Sequence, residues 1–106
     1  MSEPAIFVLI RNGEKRFYGD RWAGAFLHRE LLWGPHDFEQ WASQGDECEW
    51  FEDASGAAVV NFDTNELNWF CGDESLNCPR VQSVYERLVR SAWPDFDYRM
   101  TGMADL

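Results

Sequence analysis

The chain reads as an α+β fold: an antiparallel sheet of about four to five strands, with two to three helices packed on one face. Three observations predict it. Apolar and aromatic residues alternate in short runs that close on tight turns at Asn12-Gly13 and Thr64-Asn65, the signature of β-hairpins. Between Pro79 and Trp93 the apolar residues instead recur at helical spacing, so both periods occur in one chain. The length of 106 residues, 45% hydrophobic with six Trp, three Tyr and eight Phe, suits one domain over residues 1–106 built around one core.

Residues 5–11 (AIFVLIR) form a β-branched apolar run, and residues 15–18 return it after Asn12-Gly13, which supplies the positive φ angles of a two-residue turn. Asp20 is placed to cap a helix through residue 32, with Ala23, Phe26, Leu27 and Leu31 on one face. Gly34-Pro35 stops that helix. A second short helix over residues 36–43 brings Phe38, Trp41 and Ala42 together, and Gly45 closes it. Residues 46–53 (DECEWFED) fit neither period and read as an irregular or edge strand. Residues 57–63 and 66–71 pair through Thr64-Asn65, with Val60, Phe62, Leu67 and Trp69 toward the core by the period of two. In residues 79–93, Val81, Val84, Tyr85, Leu88, Val89 and Ala92 share one face, and Glu86 and Arg90 pair on the wet side. Residues 96–100 alternate as a last strand, and residues 101–106 read as a frayed tail. The order is ββααβββαβ, mostly in hairpins.

Charge is segregated. No Lys or Arg lies between Arg29 and Arg80, and twelve of the nineteen carboxylates do, so most of the formal −10 sits mid-chain. Such a field repels nucleic acid and anionic lipid and attracts basic proteins. Neither direct nucleic-acid contact nor membrane association is therefore expected. No apolar run nears about eighteen residues, and residues 1–10 lack a basic leader, so the chain reads as cytoplasmic. Cys48, Cys71 and Cys78 then read as free thiols, although a turn would allow a Cys71–Cys78 bridge in an oxidising compartment.

The signals for catalysis and metal binding are thin. Cys78, His28 and His36 are the candidates for a thiolate and its base; Cys78 precedes Pro79 at a helix N-terminus, where a thiol pKa falls. No Gly-rich oxyanion loop accompanies it. His28 and His36 read as surface residues, and Trp33 and Trp41 as core or staple residues. Asp63, Asn65 and Glu74 mimic the ends of a calcium loop, but Leu67 and Asn68 stand where a ligand and the obligatory glycine belong. The cysteines and histidines lack zinc-type spacing. Paired glycosidase-type carboxylates cannot be singled out in so acidic a chain. No cofactor or metal is expected, and no catalytic residue is assigned. Arg80, Arg87 and Arg90 read as the solvated face of the last helix, or as a basic patch for the acidic patch of a neighbouring copy.

The runs Phe17-Tyr18, Asp20-Arg21-Trp22-Ala23 and Leu32-Trp33-Gly34-Pro35, with Trp93-Pro94, Tyr98-Arg99 and the terminal Gly102-Met103-Ala104-Asp105-Leu106, resemble a family of small uncharacterised bacterial proteins. The resemblance covers most of the chain and implies a bacterial, single-domain protein; it carries over no functional residue.

The sharpest functional signal is the segment in which Trp50 and Phe51 stand among Asp46, Glu47, Glu49, Glu52 and Asp53. Large aromatics ringed by like charge suit an interface anchor with an electrostatic rim. The expected function is a non-catalytic acidic binding module. Its most concrete form is an immunity or inhibitor protein occluding the cationic cleft of a nucleic-acid-directed toxin or effector. Two alternatives stand beside it: a small-molecule-binding or enzymatic domain with an aromatic-lined pocket, and a structural homo-oligomer subunit.

Overall fold

A computed structural model describes residues 3–49, 54–71, 76 and 78–100. The elements are β1 (Ala5–Arg11), β2 (Glu14–Asp20), α1 (Leu27–Glu30), α2 (Pro35–Ala42), β3 (Asp46–Glu47), β4 (Gly56–Asn61), β5 (Glu66–Cys71), α3 (Pro79–Ala92) and β6 (Asp97–Met100). The α+β class is as the sequence predicts. The six strands form one sheet in the order β3-β2-β1-β4-β5-β6.

The sheet is mixed where an antiparallel one was expected. β1 pairs with β2 and β4 with β5 in antiparallel register, while β1/β4 and β5/β6 are parallel. The reason is connectivity: a helix that runs back along the sheet returns the chain in the direction of the strand it left. α3 does this between β5 and β6.

The pleat separates two apolar sets. Ala5, Phe7 and Leu9 of β1, Tyr18 of β2, Ala58 and Val60 of β4, Leu67, Trp69 and Cys71 of β5 and Tyr98 of β6 join Leu27, Leu31, Phe38, Ala42, Tyr85, Val89 and Trp93 in the main core. All three helices thus lie on one face. Ile6 and Ala57 point the other way and form a smaller cluster with Ala54, against which Phe17, Cys48 and Phe70 pack. The central strand β1 is buried on both faces, which explains its unbroken apolar run.

The helix expected from Asp20 to residue 32 is broken into a 3-10 turn (Ala23–Ala25), α1 and a second 3-10 turn (Leu31–Trp33). The N-cap of the first turn is Trp22 and not Asp20, which ends β2; Asp20 Oδ1 nevertheless accepts the N–H groups of Trp22 at 2.8 Å and Ala23 at 3.0 Å and so closes the turn into it. The break follows from Gly24, whose N–H donates to the carbonyl of Glu3 at 2.7 Å and whose Cα faces Ser55. Tethering this turn to the start of β1 prevents a continuous helical ladder.

Asp63 belongs to hairpin architecture, as its failed calcium-loop pattern predicts. Asn61 Oδ1 accepts the N–H groups of Asp63 and Thr64, an Asx turn, and Asn65 takes φ 56° to reverse the chain. Phe62 falls in this turn, beyond the end of β4, and is half-buried with Arg11 over its ring.

Candidate functional site

The start of the acidic segment, at Asp46 and Glu47, sits at one edge of the sheet. β3 pairs Asp46 with Gly19 and Glu47 with Tyr18, and the N–H of Cys48 donates to the carbonyl of Phe17 at 3.1 Å. These bonds set two consecutive acidic residues on the outermost strand, where their charges discourage strand addition. Asp46, Glu47 and Glu49 are exposed. Their field reaches a neighbour: burial pushes the Cys48 thiol pKa up, and the Asp46 carboxylate adds to the shift. Trp50, Phe51, Glu52 and Asp53, the other residues predicted for this site, lie outside the described residues.

Concave surface gathers along the same edge. A groove of about 350 Å³ is lined by Glu14, Lys15, Arg16, Phe17, Glu47 and Cys48. Around the other side of β2, a wider groove of about 490 Å³ runs under α2, with Leu9 and Tyr18 in its floor and His36, Gln40 and Ser43 on its helical wall. Its charges are largely matched within it: Arg11 grips both oxygens of Glu39 at 2.9 and 3.0 Å, and Arg16 meets Glu14 at 3.2 Å. Tyr18 is its one aromatic liner, so this is not the aromatic-lined pocket of the small-molecule reading.

The structure redistributes the thiol and imidazole candidates. His28, expected in solvent, is half-buried, with Nδ1 3.6 Å from Cys71 Sγ. The Cys71 thiol also lies 3.3 Å from the carbonyl of Gly24, an acceptor that favours the protonated thiol. The Tyr85 hydroxyl donates to the carbonyl of His28. His28 is therefore the point where β5, α1 and α3 are joined. The partners are 43 residues apart in sequence, and one signal could have found them: the alternation Leu67, Trp69, Cys71 extends the buried face of β5 to the thiol.

Cys78 stands exposed at the N-cap of α3, as expected, and the N–H groups of Val81 and Arg80 hold its thiol pKa below the ordinary value. No histidine is hydrogen-bonded to it among the described residues. Among the described residues no disulfide joins Cys48, Cys71 or Cys78. His36 is exposed on α2 in the wall of the wider groove. Among the described residues no group of three or more His, Cys, Asp or Glu side chains could hold a metal ion, and no helix is long and apolar enough to cross a membrane.

Two expectations about burial are corrected. Trp33, read as a core or staple residue, is 67% exposed, whereas Trp41 is half-buried against Phe7, Phe26 and Phe38. On α3 the core covers Tyr85 and Val89 but leaves Val81, Val84 and Leu88 exposed. Among the described residues, the covered strip of α3 faces the sheet and the Leu27–Trp33 region, and the apolar face of the helix is wider than that strip. Comparison with known protein families, with curated proteins and with solved structures finds no match for the chain.

Proposed function

We propose that this protein is a non-catalytic acidic binding module whose β3 edge occupies a basic surface of a partner protein. The observation that carries the reading is the exposure of Asp46 and Glu47 on the outermost strand and of Glu49 just beyond it, in a stretch from Arg29 to Arg80 without Lys or Arg. The groove beside Glu47 gives that edge relief into which a side chain of the partner can fit. Carboxylates so arranged steer encounter with a cationic surface and hold like-charged nucleic acid away. In its most concrete form the protein is a cytoplasmic immunity or inhibitor protein that covers the cationic cleft of a nucleic-acid-directed toxin or effector, acting by occlusion.

The test is capture of a basic partner by the purified chain. The complex should weaken steeply as salt rises. Replacing Asp46, Glu47 and Glu49 together by Lys should abolish it, and a complex indifferent to both salt and this triple reversal would refute the reading. The wider groove supports a second reading, a small polar ligand held between Arg11, Glu39, His36 and Tyr18. A large, saturable thermal shift with one metabolite, lost in the Arg11→Ala variant, would favour it.

A further inference from the structure

The outermost position of the sheet, beside β2, is only partly filled. β3 pairs with Tyr18 and Gly19, and the N–H of Cys48 adds a bond to the carbonyl of Phe17. From Phe17 back to Glu14, β2 is itself the edge. Along a strand the N–H and carbonyl of one residue point to one side, and those of the next residue to the other. The Phe17 carbonyl points outward to Cys48, so the backbone groups of Lys15 point outward too. Ile10, the partner of Lys15 in β1, correspondingly gives its carbonyl to Phe62, on the side of β4. The N–H and carbonyl of Lys15 and the N–H of Phe17 therefore line the open edge. None of these groups has a hydrogen-bond partner among the described residues.

The groove of about 350 Å³ runs along this edge. Glu14, Lys15, Arg16 and Phe17 line it in succession, with Glu47 and Cys48 at its end. Side chains of consecutive strand residues alternate between faces, so four in a row line one groove only along the edge of their strand. Its wall carries unpaired backbone donors and an acceptor, and β3 closes one end; its shape and hydrogen bonding are those of a missing strand. Charge then selects what fills it. Glu14 and Arg16 pair with each other at 3.2 Å, which leaves the exposed Asp46, Glu47 and Glu49 against Lys15. A second copy is disfavoured, because β3 flanks β2 from Phe17 onward and two open edges paired about a two-fold axis set Lys15 against Lys15.

We propose that an extended basic segment of a partner protein pairs with the open edge of β2 at Lys15 and Phe17, continuing the sheet where β3 leaves it. The proposal rests on the acidic-edge reading and gives it a mode of binding. The carboxylates of Asp46, Glu47 and Glu49 draw the segment in, and backbone hydrogen bonds hold it. Every second side chain of the added strand falls on the helical face of the sheet, beside the wider groove under α2.

The probe is a heptapeptide of alternating lysine and valine, capped at both ends and titrated into the whole isotope-labelled chain. A dissociation constant of about 0.1–1 mM is expected at low salt, rising with ionic strength. At saturation the amide hydrogens of Lys15 and Phe17 should exchange with solvent about tenfold more slowly or less. Lys15→Pro removes the outward N–H but no bond to β1, a change that an edge strand tolerates, and should weaken binding about tenfold or more. Lys15→Gln removes the same charge, keeps the N–H and should bind at least as well as the unmodified chain. Binding lost on reversal of Asp46, Glu47 and Glu49 to Lys, but without protection of Lys15 and Phe17 and equal in the Pro and Gln variants, would overturn strand pairing and leave the acidic-edge reading standing. Binding indifferent to salt and to that reversal would sink both. No binding at millimolar peptide would overturn the proposal, as would protection that appears without peptide when the protein is concentrated, the mark of a second copy.

Discussion

The carboxylate of Asp63 accepts the backbone N–H of Gly13 at 2.8 Å and that of Asn12 at 2.7 Å, tying the turn of the first hairpin to that of the second across 50 residues of sequence. Those two N–H groups, with the Arg11 charge behind them, hold the Asp63 carboxyl below its ordinary pKa. A carboxyl depressed in the folded state contributes stability above its unfolded pKa of about 3.9, and this is lost as pH falls through the folded value. Asp63→Asn should therefore lower the urea midpoint at pH 7. Its deficit against the unmodified chain should narrow in a titration carried below about pH 4.

Trp93, the residue that follows α3, is buried, and its Nε1–H donates to the carbonyl of Leu31 at 2.7 Å. Trp93→Phe keeps most of the aromatic contact with Phe38 and Phe96 but removes this donor, leaving the carbonyl the N–H of Gly34 at 3.2 Å. A loss of about 0.5–1.5 kcal/mol in denaturant unfolding is expected for the lost hydrogen bond, with a further loss from the smaller ring.

Burial raises the Tyr85 phenol well above its ordinary pKa, and its hydroxyl bonds the carbonyl of His28. A phenol raised in the folded state contributes stability that is intact below about pH 10 and declines above it, as the unfolded chain ionises first. Alkaline unfolding of Tyr85→Phe should be less steep than that of the unmodified chain. At pH 7 the same variant should lose about 0.5–1.5 kcal/mol, because the hydrogen bond to the carbonyl of His28 is removed.

The thiols should react in a set order. Cys78 is exposed with a lowered pKa, Cys48 is half-buried with a raised one, and Cys71 is buried beside His28. Iodoacetamide at pH 7 should alkylate Cys78 first, Cys48 more slowly and Cys71 only on unfolding, as followed by peptide mass spectrometry.

Gly24 has no room for a methyl group: a Cβ there would stand 2.7 Å from the carbonyl of Glu3 and 2.9 Å from the Ser55 side chain. Gly24→Ala should destabilise by about 1–3 kcal/mol, the usual cost of overpacking. The drop in thermal midpoint should exceed that of Gly13→Ala, where open space leaves only the strain of φ 76°.

Much of the fold was legible because its determinants are local. Asn12 and Asn65 adopt the positive φ angles their turns require, Asp20 accepts the first N–H groups of the turn that follows β2, and Glu86 meets Arg90 at 2.8 Å one helical turn away. The broken helix at Gly24 was not legible, because what breaks it is the carbonyl of Glu3 at the start of another element. Trp33 misled for a related reason. An apolar side chain next to a helix stop resembles a staple until the neighbouring layer is known to end before reaching it.

Of the candidate site, the acidic edge came from counting charges along the chain, and the placement of Asp46 and Glu47 beside β2 agrees with the edge strand expected there. The residues alone determined the periods, the turns, the caps and the charge segregation, because each is a property of near neighbours. Tertiary structure alone decided that Cys71 meets His28, that Asp63 joins two hairpins, and that Val81, Val84 and Leu88 stay uncovered. Periodicity states which residues gain by burial. Whether a layer reaches them is set by pairings between distant strands and helices, and on α3 the layers of one chain end before the apolar face does.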